Sequence, residues 1–207
     1  MPELSADENQ IGGALNLSSR EIANQTVLRV LTAAGACGAR AVAVRHPRET
    51  VTCVEKLALF REHPFFYAEL GNIRVARGTV ICWRSQGREK YLLFINDSDD
   101  RIDWKDLKRH VNLSKKEDIG PYHGDVEEIV GLPRGGVSPF VGTNHRLDLI
   151  LFDRNLLVKE LTFPDALWDF AFSRRHSVFI RPTPLFAALG HCDGIRHYLH
   201  WGKARQT

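Results

Sequence analysis

The sequence lacks several features that would place it in a specialised class of protein. No uninterrupted apolar run approaches the roughly 18 residues that a membrane-spanning helix requires. The first ten residues, MPELSADENQ, contain neither a basic nor an apolar segment, so no secretory or mitochondrial targeting peptide is visible. The four cysteines form no CxxC pair, which argues against a zinc ribbon, a dithiol redox motif and a disulfide-dense secreted framework. These absences predict a cytoplasmic protein with no membrane partner.

Strong charge imbalance and the common nucleotide fingerprints are missing as well. The formal net charge is +3, a balance that tolerates a polyanionic partner without requiring one. The glycine-rich segment 131–140, GLPRGGVSPF, has neither the Lys-Ser/Thr of a P-loop nor GxGxxG spacing. No internal repeat of fixed period appears. We therefore expect no bound cofactor and no metal centre.

The composition is that of one globular unit. The chain has 207 residues, of which 43% are hydrophobic and 26% charged, enough for a single sizeable core. Residues 1–17 are small and polar and are interpreted as a flexible leader. Residues 18–190 are predicted to form the domain, and residues 191–207 a tail rich in His and Arg.

Local patterns predict alternating helices and strands in the first half of the domain. Ser18 and Glu21 have capping-box spacing ahead of an amphipathic helix that stops at Gly35. The segment ARAVAVRHP suits a strand, and the residues after Thr50 suit a helix closed by Pro64. Two β-rich runs on either side of SQGRE predict a hairpin.

The second half is predicted to contain two short helices, then strands and a closing helix. Asp103 is a candidate N-cap, and DVEEIV is a second short helix that leads into the glycine-rich segment. RLDLILFD, NLLVKELTF and HSVFIRP are interpreted as three strands, and TPLFAALG as the closing helix. This order predicts an α/β fold, of mixed α+β character, with a curved mixed sheet in one domain.

Glycine-rich loops let backbone amides approach a ligand closely, because no β-carbon stands in the way. Phosphates and developing oxyanions are the usual ligands of such loops. A bare Gly-Gly between prolines is also typical of a plain surface turn. The surrounding sequence favours the functional interpretation.

GLPRGGVSPF, about fifty residues after VARGTVICW and followed by the strand RLDLILFD, resembles the YbaK-like family, also called the prolyl-tRNA synthetase associated or editing domain. The loop matches from Gly135 to Pro139. The resemblance continues in the early strand that ends at His46 and Pro47 with Thr50 nearby, and in the strand that ends at Asp153. Roughly residues 20–190 can be laid along the family.

The resemblance implies a pocket for the aminoacyl end of a mischarged tRNA and hydrolysis of its ester, without a metal. In the family a pocket lysine and the glycine-proline loop position the substrate, and a hydroxyl of the terminal adenosine assists the attacking water. Such an ester already has a good leaving group, so orientation and oxyanion stabilisation are the main requirements. The implied partner is an aminoacyl-tRNA, with an aminoacyl-tRNA synthetase left open as a second partner and DNA excluded.

The largest departure from the family lies in VARGTVICW, where Arg77 stands in place of the lysine. Arginine keeps the positive charge and can donate two hydrogen bonds, but it cannot lose its proton usefully. Lys90 in the opposite strand is an alternative cation only if it points into the pocket. Arg77 therefore leaves two interpretations open, a hydrolase and a module that binds aminoacyl-adenosine without hydrolysing it.

The remaining site predictions divide by role. The predicted catalytic group comprises Arg77, Gly135, Gly136, Ser138 and Pro139, with the backbone amides around Gly135, Gly136 and Ser138 cradling the ester carbonyl. Ser138 lacks a histidine-carboxylate partner in the sequence, so it is not expected to be a nucleophile. The predicted substrate-binding residues are His46, Thr50, Asp153 and Phe140. The predicted RNA-binding residues are Arg45, Arg174 and Arg175, which would contact phosphate without reading sequence. Wider candidates for RNA contact are Arg40, Arg48, Arg196, His197, Lys203 and Arg205.

A third interpretation is a plain scaffold role, or a metal-binding role for the tail. Its His191, Cys192, His197 and His200 match no familiar zinc-ligand spacing, and packing or anion contact is the more common use of such residues.

Overall fold

A computed structural model describes residues 24–114, 117–142, 144–192 and 194–202. The helices of these ranges are α1 (Gln25–Ala36), α2 (Cys53–Glu62), α3 (Phe65–Leu70), α4 (Trp104–His110), α5 (Val126–Val130), α6 (Asn155–Thr162) and α7 (Pro182–Leu189), with a 3₁₀ turn at Arg196–Tyr198. The strands are β1 (Ala41–Arg45), β2 (Ile73–Ser85), β3 (Arg88–Asp97), β4 (Ile119–Pro121), β5 (Leu149–Phe152), β6 (Leu167–Ala171), β7 (His176–Ile180) and β8 (Leu199–Trp201).

The eight strands form one mixed sheet in the order β1-β7-β6-β2-β3-β5-β8, with β4 attached to β2. The pairs β2–β6, β3–β5 and β5–β8 are parallel, and the others are antiparallel. Helices flank this sheet in a single domain. The predicted mixed α/β fold is confirmed.

The hairpin of β2 and β3 is the centre of the sheet. Its turn residues Gln86 and Gly87 have φ of 51° and 76°, and Gly87 adopts such a positive φ without steric cost. In the register of the hairpin, Arg77 lies opposite Asn96. β6 pairs with residues 73–75 of β2 and β4 with residues 81–83. The middle of that edge of β2 is therefore left without a strand partner.

Alternate residues of β2 face opposite sides of the sheet. Ala76 and Val80 belong to the largest core, which α1 and α7 cover. On the other face, Val75 packs into a core with residues of α2 and α3, and Ile81 into a core with Leu107 of α4. Arg77 shares the parity of Val75 and Ile81, so it lies on the second face between these two smaller cores.

Capping side chains begin several of the helices. Thr52 and Glu55 form a capping box at α2, with both side chains accepting from backbone amides at 3.2 Å. Asp103 caps α4 as predicted, accepting from the amides of Lys105 and Asp106 at 3.1 Å. Asn24 caps α1 and donates to the carbonyl of Phe140 at 3.0 Å, which ties this helix to the glycine-rich loop. The predicted Ser18–Glu21 capping box and the leader lie outside the described residues.

In the second half of the chain one predicted strand is wrong, and one observed strand was not predicted. NLLVKELTF is not a strand, because all of it except Phe163 forms α6, in which Leu156 and Glu160, four residues apart, are the buried positions. The interval of four is a helical period, and Glu160 accepts hydrogen bonds from Thr183 of α7. The strand that follows β5 in the chain is instead β6, which the sequence did not predict.

The tail does not lie outside the domain throughout. β8 extends the sheet beside β5, pairing Phe152 with Trp201. The Trp201 ring stacks on Phe186 with centroids 4.6 Å apart, and Ile195 is buried in the main core. The described part of the tail, up to residue 202, is thus an edge of the sheet.

Candidate functional site

The glycine-rich loop packs against β2 at Gly78, between the parts of the strand that pair with β6 and with β4. A β-carbon added to Gly78 would overlap the carbonyl oxygen of Val137, so the loop backbone crosses directly against the strand next to Arg77. Only glycine at position 78 permits this approach. The loop that the sequence singled out and the strand that carries Arg77 are therefore neighbours in the fold.

Gly135 and Gly136 bring two further segments against this loop. Gly135 has φ +94°, and a β-carbon there would lie 2.7 Å from the carbonyl oxygen of Thr50. A β-carbon on Gly136 would lie 2.8 Å from the Cα of Ser173. Both separations are too short for a real side chain, so these glycines are required by close packing of backbones.

Backbone hydrogen bonds fasten the segments together. The amide of His46 donates to the carbonyl of Arg175 at 2.6 Å, and the amide of Thr50 donates to that of Arg174 at 2.9 Å. Arg174 Nε donates to the carbonyl of Arg134 at 3.3 Å. Segments 46–51, 133–138 and 173–176 thus form one continuous surface, which we call the three-loop rim.

Arg77 is held by the end of the neighbouring strand. Its Nε donates to Asn96 Oδ1 at 3.3 Å, and its Nη2 donates to the carbonyl of Asp100. Asn96 is fully buried and donates to the same carbonyl at 3.1 Å. The guanidinium is half-buried and has a fixed direction, which suits a positioning role better than a mobile one.

Asp153 interacts with the charge of Asp100, the residue whose carbonyl accepts from Arg77. Asp153 Oδ1 accepts from the amide of Asn155 at 3.0 Å, so the side chain caps the first turn of α6. Burial raises the pKa of the Asp153 carboxyl above its ordinary value, and the nearby charge of Asp100 adds to the effect. The observed side-chain contact of Asp153 is therefore structural.

A buried polar cluster lies on the inner side of the rim, and the sequence analysis identified only one of its members, His46. Lys56 Nζ approaches Asp169 Oδ2 to 3.0 Å, with side-chain exposures of 6% and 0%. Lys56 also donates to Ser177 Oγ at 3.1 Å, and Ser177 contacts His46 Nε2 at 2.9 Å. The approach of Lys56 to Asp169 has ion-pair distance without hydrogen-bond alignment, so within the described residues both carboxylate oxygens lack a hydrogen-bond partner.

His46 is neutral in this environment. Burial, followed by the positive charge of Lys56, lowers the pKa of the imidazole from 6.5 to about 3. Ser177 and His46 have the separation of a nucleophile and its base. Ser177 is fully buried, however, and among the described residues no group bonds Nδ1 of His46. This pair therefore lacks both the access and the orienting partner of a working dyad.

Cys53 connects the buried cluster to Arg77. The thiol at the start of α2 is half-buried and feels the charges of Lys56, Asp169 and Arg77. Burial raises the pKa of the Cys53 thiol above 9.0, and the two cations only partly offset this effect. At neutral pH the thiol keeps its proton, so Cys53 is suited to lining the site and not to nucleophilic attack.

The remaining loop residues are more deeply buried than the sequence predicted. Phe140 is fully buried in the main core and meets Phe172 edge to face at 6.2 Å, so its role is to anchor the loop and not to contact substrate. Ser138 is 2% exposed, and its Oγ accepts from the amide of Phe140 at 3.4 Å. Pro139 is buried between them.

The predicted oxyanion donors need one correction. The amide of Gly136 donates to the carbonyl of Pro133 at 2.8 Å and is already used within the loop. The amides of Gly135, Val137 and Ser138 have no acceptor within the described residues. Of the three amides named from the sequence, those of Gly135 and Ser138 remain candidates, and that of Val137 joins them.

The three predicted RNA-binding arginines differ in their contacts. Arg45 is exposed at the end of β1. Arg174 lies 3.8 Å from Glu49 in an exposed ion pair, and Arg175 donates to the carbonyl of Pro47 at 2.9 Å. The last two therefore help to hold the three-loop rim together. Lys203 and Arg205 lie outside the described residues.

Two other sequence hypotheses concern Lys90 and the tail. Lys90 pairs with Asp148 at 2.5 Å and lies opposite Trp83, well away from Arg77 along the hairpin, so it does not substitute in the site. Among the described residues no group of three or more His, Cys, Asp or Glu side chains is arranged to hold a metal ion. Nor is any helix of those ranges long and apolar enough to cross a bilayer.

Lys56 and Asp169, which the sequence analysis missed, have only a weak signal of burial in the sequence. Lys56 precedes Leu59 and Phe60 by three and four positions, so helical spacing places it on the face that these residues bury. Asp169 interrupts the apolar run ALWDFAF, an unusual place for a carboxylate without a partner. Nothing in the sequence, however, pairs these two positions, which are 113 residues apart.

Comparison with known proteins supports the fold and goes no further. No protein-family model matches the chain, and no curated protein does. Among solved structures, the chain is similar to one described as "Crystal structure of hypothetical protein APE2540", with a TM-score of 0.55 and 18% sequence identity. The similarity covers 78% of this chain and 94% of that one. At this identity the likeness concerns architecture alone.

Proposed function

We propose that the protein belongs to the YbaK-like family and acts as a trans-editing aminoacyl-tRNA deacylase. It would hydrolyse the ester that joins a wrong, small amino acid to tRNA, with tRNA(Pro) as the first candidate. One observation carries this proposal. The loop that resembles the family's signature packs, through Gly78 and Gly135, against the strand bearing Arg77 and against Thr50. Segments that the resemblance names separately thus pack against one another.

The described side chains favour catalysis by positioning. The thiol of Cys53 is protonated, the hydroxyl of Ser138 is used inside the loop, and the Ser177–His46 pair is buried. A covalent acyl-enzyme therefore has no evident nucleophile at this site. Direct attack of water on the ester is the simpler route, with a hydroxyl of the terminal adenosine assisting it, as the family resemblance implies.

In this proposal the loop and Arg77 act on different parts of the ester. The amides of Val137 and Ser138 donate to the carbonyl oxygen as negative charge develops on it. Arg77, oriented by Asn96 and the Asp100 carbonyl, directs its remaining N–H groups to the substrate. Arginine does not exchange its proton at neutral pH, so it orients the ester and takes no part in proton transfer.

The binding module without hydrolysis remains a second candidate, favoured by the same contacts of Arg77. A guanidinium that is held by Asn96 and by the Asp100 carbonyl has fewer N–H groups left for the reacting ester. In this alternative, the pocket retains an aminoacyl-adenosine end and Arg77 serves only to hold it.

Single-turnover hydrolysis of alanyl- and cysteinyl-tRNA(Pro), followed by a wider panel, tests the proposal. The natural protein is compared with Arg77→Lys and Arg77→Ala, and with Arg84→Ala as a control at the exposed end of the same strand. We expect the natural protein and the control to release amino acid, and Arg77→Ala to be slower by about 100-fold. Release by none of the proteins from any substrate would refute the hydrolase. Activity confined to Arg77→Lys would favour the binding module.

A further inference from the structure

A groove of about 360 Å³ lies along α4, apart from the three-loop rim. It is lined by Trp104, Lys105, Lys108, Arg109 and Leu113. The indole is half-buried, packing partly against the core beneath α4 and partly lining the groove. An aromatic ring bordered by cations is the combination that binds single-stranded nucleic acid, the ring by stacking on a base and the cations by contacting phosphate.

The charges of the groove are only partly neutralised. Lys105 is exposed and has no ion-pair partner among the described residues. Lys108 donates to the carbonyl of Glu117 at 2.6 Å, and its charge also interacts with the Glu117 carboxylate. Arg109 pairs with Asp106 on the same face of the helix. Within the described chain no acidic residue lines the groove itself, so it presents a positive rim around an apolar floor.

The groove lies on the same face of the sheet as Arg77. Leu107 of α4 packs with Ile81, which shares the parity of Arg77 on β2. The Asp100 carbonyl that accepts from Arg77 is only four residues before Trp104. A chain whose end reaches Arg77 can therefore continue along this face to α4 without crossing the sheet.

We propose that α4 binds a single-stranded segment of RNA, with a base stacked on Trp104 and phosphates contacted by Lys105 and Arg109. The proposal concerns the RNA portion of the substrate and therefore rests on the proposed function. It differs from the sequence prediction, which placed RNA contact at Arg45, Arg174 and Arg175. Arg174 and Arg175 are bonded within the three-loop rim, whereas the cations of α4 border an open groove.

Binding of a short, labelled, single-stranded RNA that ends in CCA tests this assignment. Affinity is measured by fluorescence anisotropy between about 50 and 200 mM salt, because the salt slope falls by about 0.7 for every phosphate of a single strand that a variant no longer neutralises. The test variants are Lys105→Gln combined with Arg109→Gln, and separately Trp104→Leu. The matched control is Arg29→Gln combined with Arg88→Gln, which removes two exposed charges outside α4.

We expect the Lys105/Arg109 double variant to bind about tenfold more weakly with a salt slope lower by about 1.4. Trp104→Leu should weaken binding about fivefold or more with little change in slope, because stacking carries no charge. The control should behave as the natural protein does. A double variant that keeps the natural affinity and slope would overturn the proposal. A second result would also overturn it: a polyglutamate peptide that binds as tightly as the RNA, with an affinity that Trp104→Leu leaves unchanged. This result would assign the groove to an acidic protein.

The RNA probe carries no amino acid, so its binding affinity does not depend on hydrolysis. If the protein binds RNA through α4 but releases no amino acid, the RNA surface is retained and the hydrolase is refuted. If it hydrolyses aminoacyl-tRNA and the Lys105/Arg109 variant has an unchanged KM, the hydrolase is retained and the RNA surface is refuted.

Discussion

Replacing Lys56 by Met should destabilise the protein far more than an ordinary loss of charge. Lys56 is the only cation paired with Asp169 in the described chain, and Asp169 is completely buried. Methionine fills a similar volume but leaves the carboxylate without its counter-charge. Breaking a buried pair by removing one partner costs about 3–5 kcal/mol, because an uncompensated charge remains in a poorly solvated place.

The magnitude can be followed by heat or denaturant. For a chain of 207 residues, each kcal/mol shifts Tm by about 2–4 °C, so the expected loss is about 6–20 °C. Urea unfolding monitored by tryptophan fluorescence gives the free energy directly. The matched control is Lys90→Met, which removes the same side chain from the Lys90–Asp148 pair, where the exposures are 39% and 31%. That more exposed pair should contribute about 0–1 kcal/mol.

The double variant Lys56→Met with Asp169→Leu separates the charge from its packing. Since it removes both charges, it should recover much of the stability that Lys56→Met loses. A Lys56→Met protein no less stable than Lys90→Met would refute the reasoning that the pair is buried and mutually dependent. A double variant that loses the sum of the two single effects would refute the claim that the charges compensate each other.

Three further predictions concern other parts of the fold. Below pH 6.5 the unfolded chain protonates at His46 while the folded protein does not until about pH 3, so in this window stability decreases by about 1.4 kcal/mol for each unit that the pH falls. His46→Gln should remove this part of the slope in urea titrations at several pH values, and an unchanged slope would contradict it. Gly78→Ala should cost about 1–3 kcal/mol through overlap with Val137, whereas Gly120→Ala, with no atom within 4 Å, should be nearly neutral. Equal stability of these two variants would argue against the close packing of the loop. Trp201→Ala should cost about 2 kcal/mol, because its ring stacks on the core, and unchanged thermal unfolding would place the tail outside the domain.

Elements with a strong local signal were predicted correctly from the sequence. The turn at Gly87, the N-cap at Asp103 and the end of α2 before Pro64 each depend on side chains within a few residues of the feature. Such interactions join residues that are close in the sequence, and they form in nearly any tertiary context. The glycine-rich loop likewise stands out in the amino-acid sequence, because its three glycines and two prolines fall within ten residues.

Segments whose pattern suits two structures were misjudged. The apolar residues of NLLVKELTF fit a strand as well as a helix, and burial against α7 decides in favour of the helix. The tail likewise has no strong strand signal in HYLHW. Its strand exists because β5 offers a free edge and Phe186 offers a surface for Trp201.

The candidate site likewise combines features that the sequence predicts with features that only the tertiary structure decides. The sequence by itself determined the helices and turns that local chemistry dictates, the mixed α/β class and the presence of a loop in which glycine is required. Only the tertiary structure decided that this loop packs against β2 at Gly78, and that Lys56 and Asp169 form a buried pair. The physical reason is that a capping bond or a turn joins near neighbours, whereas a buried ion pair depends on segments more than a hundred residues apart meeting in one register.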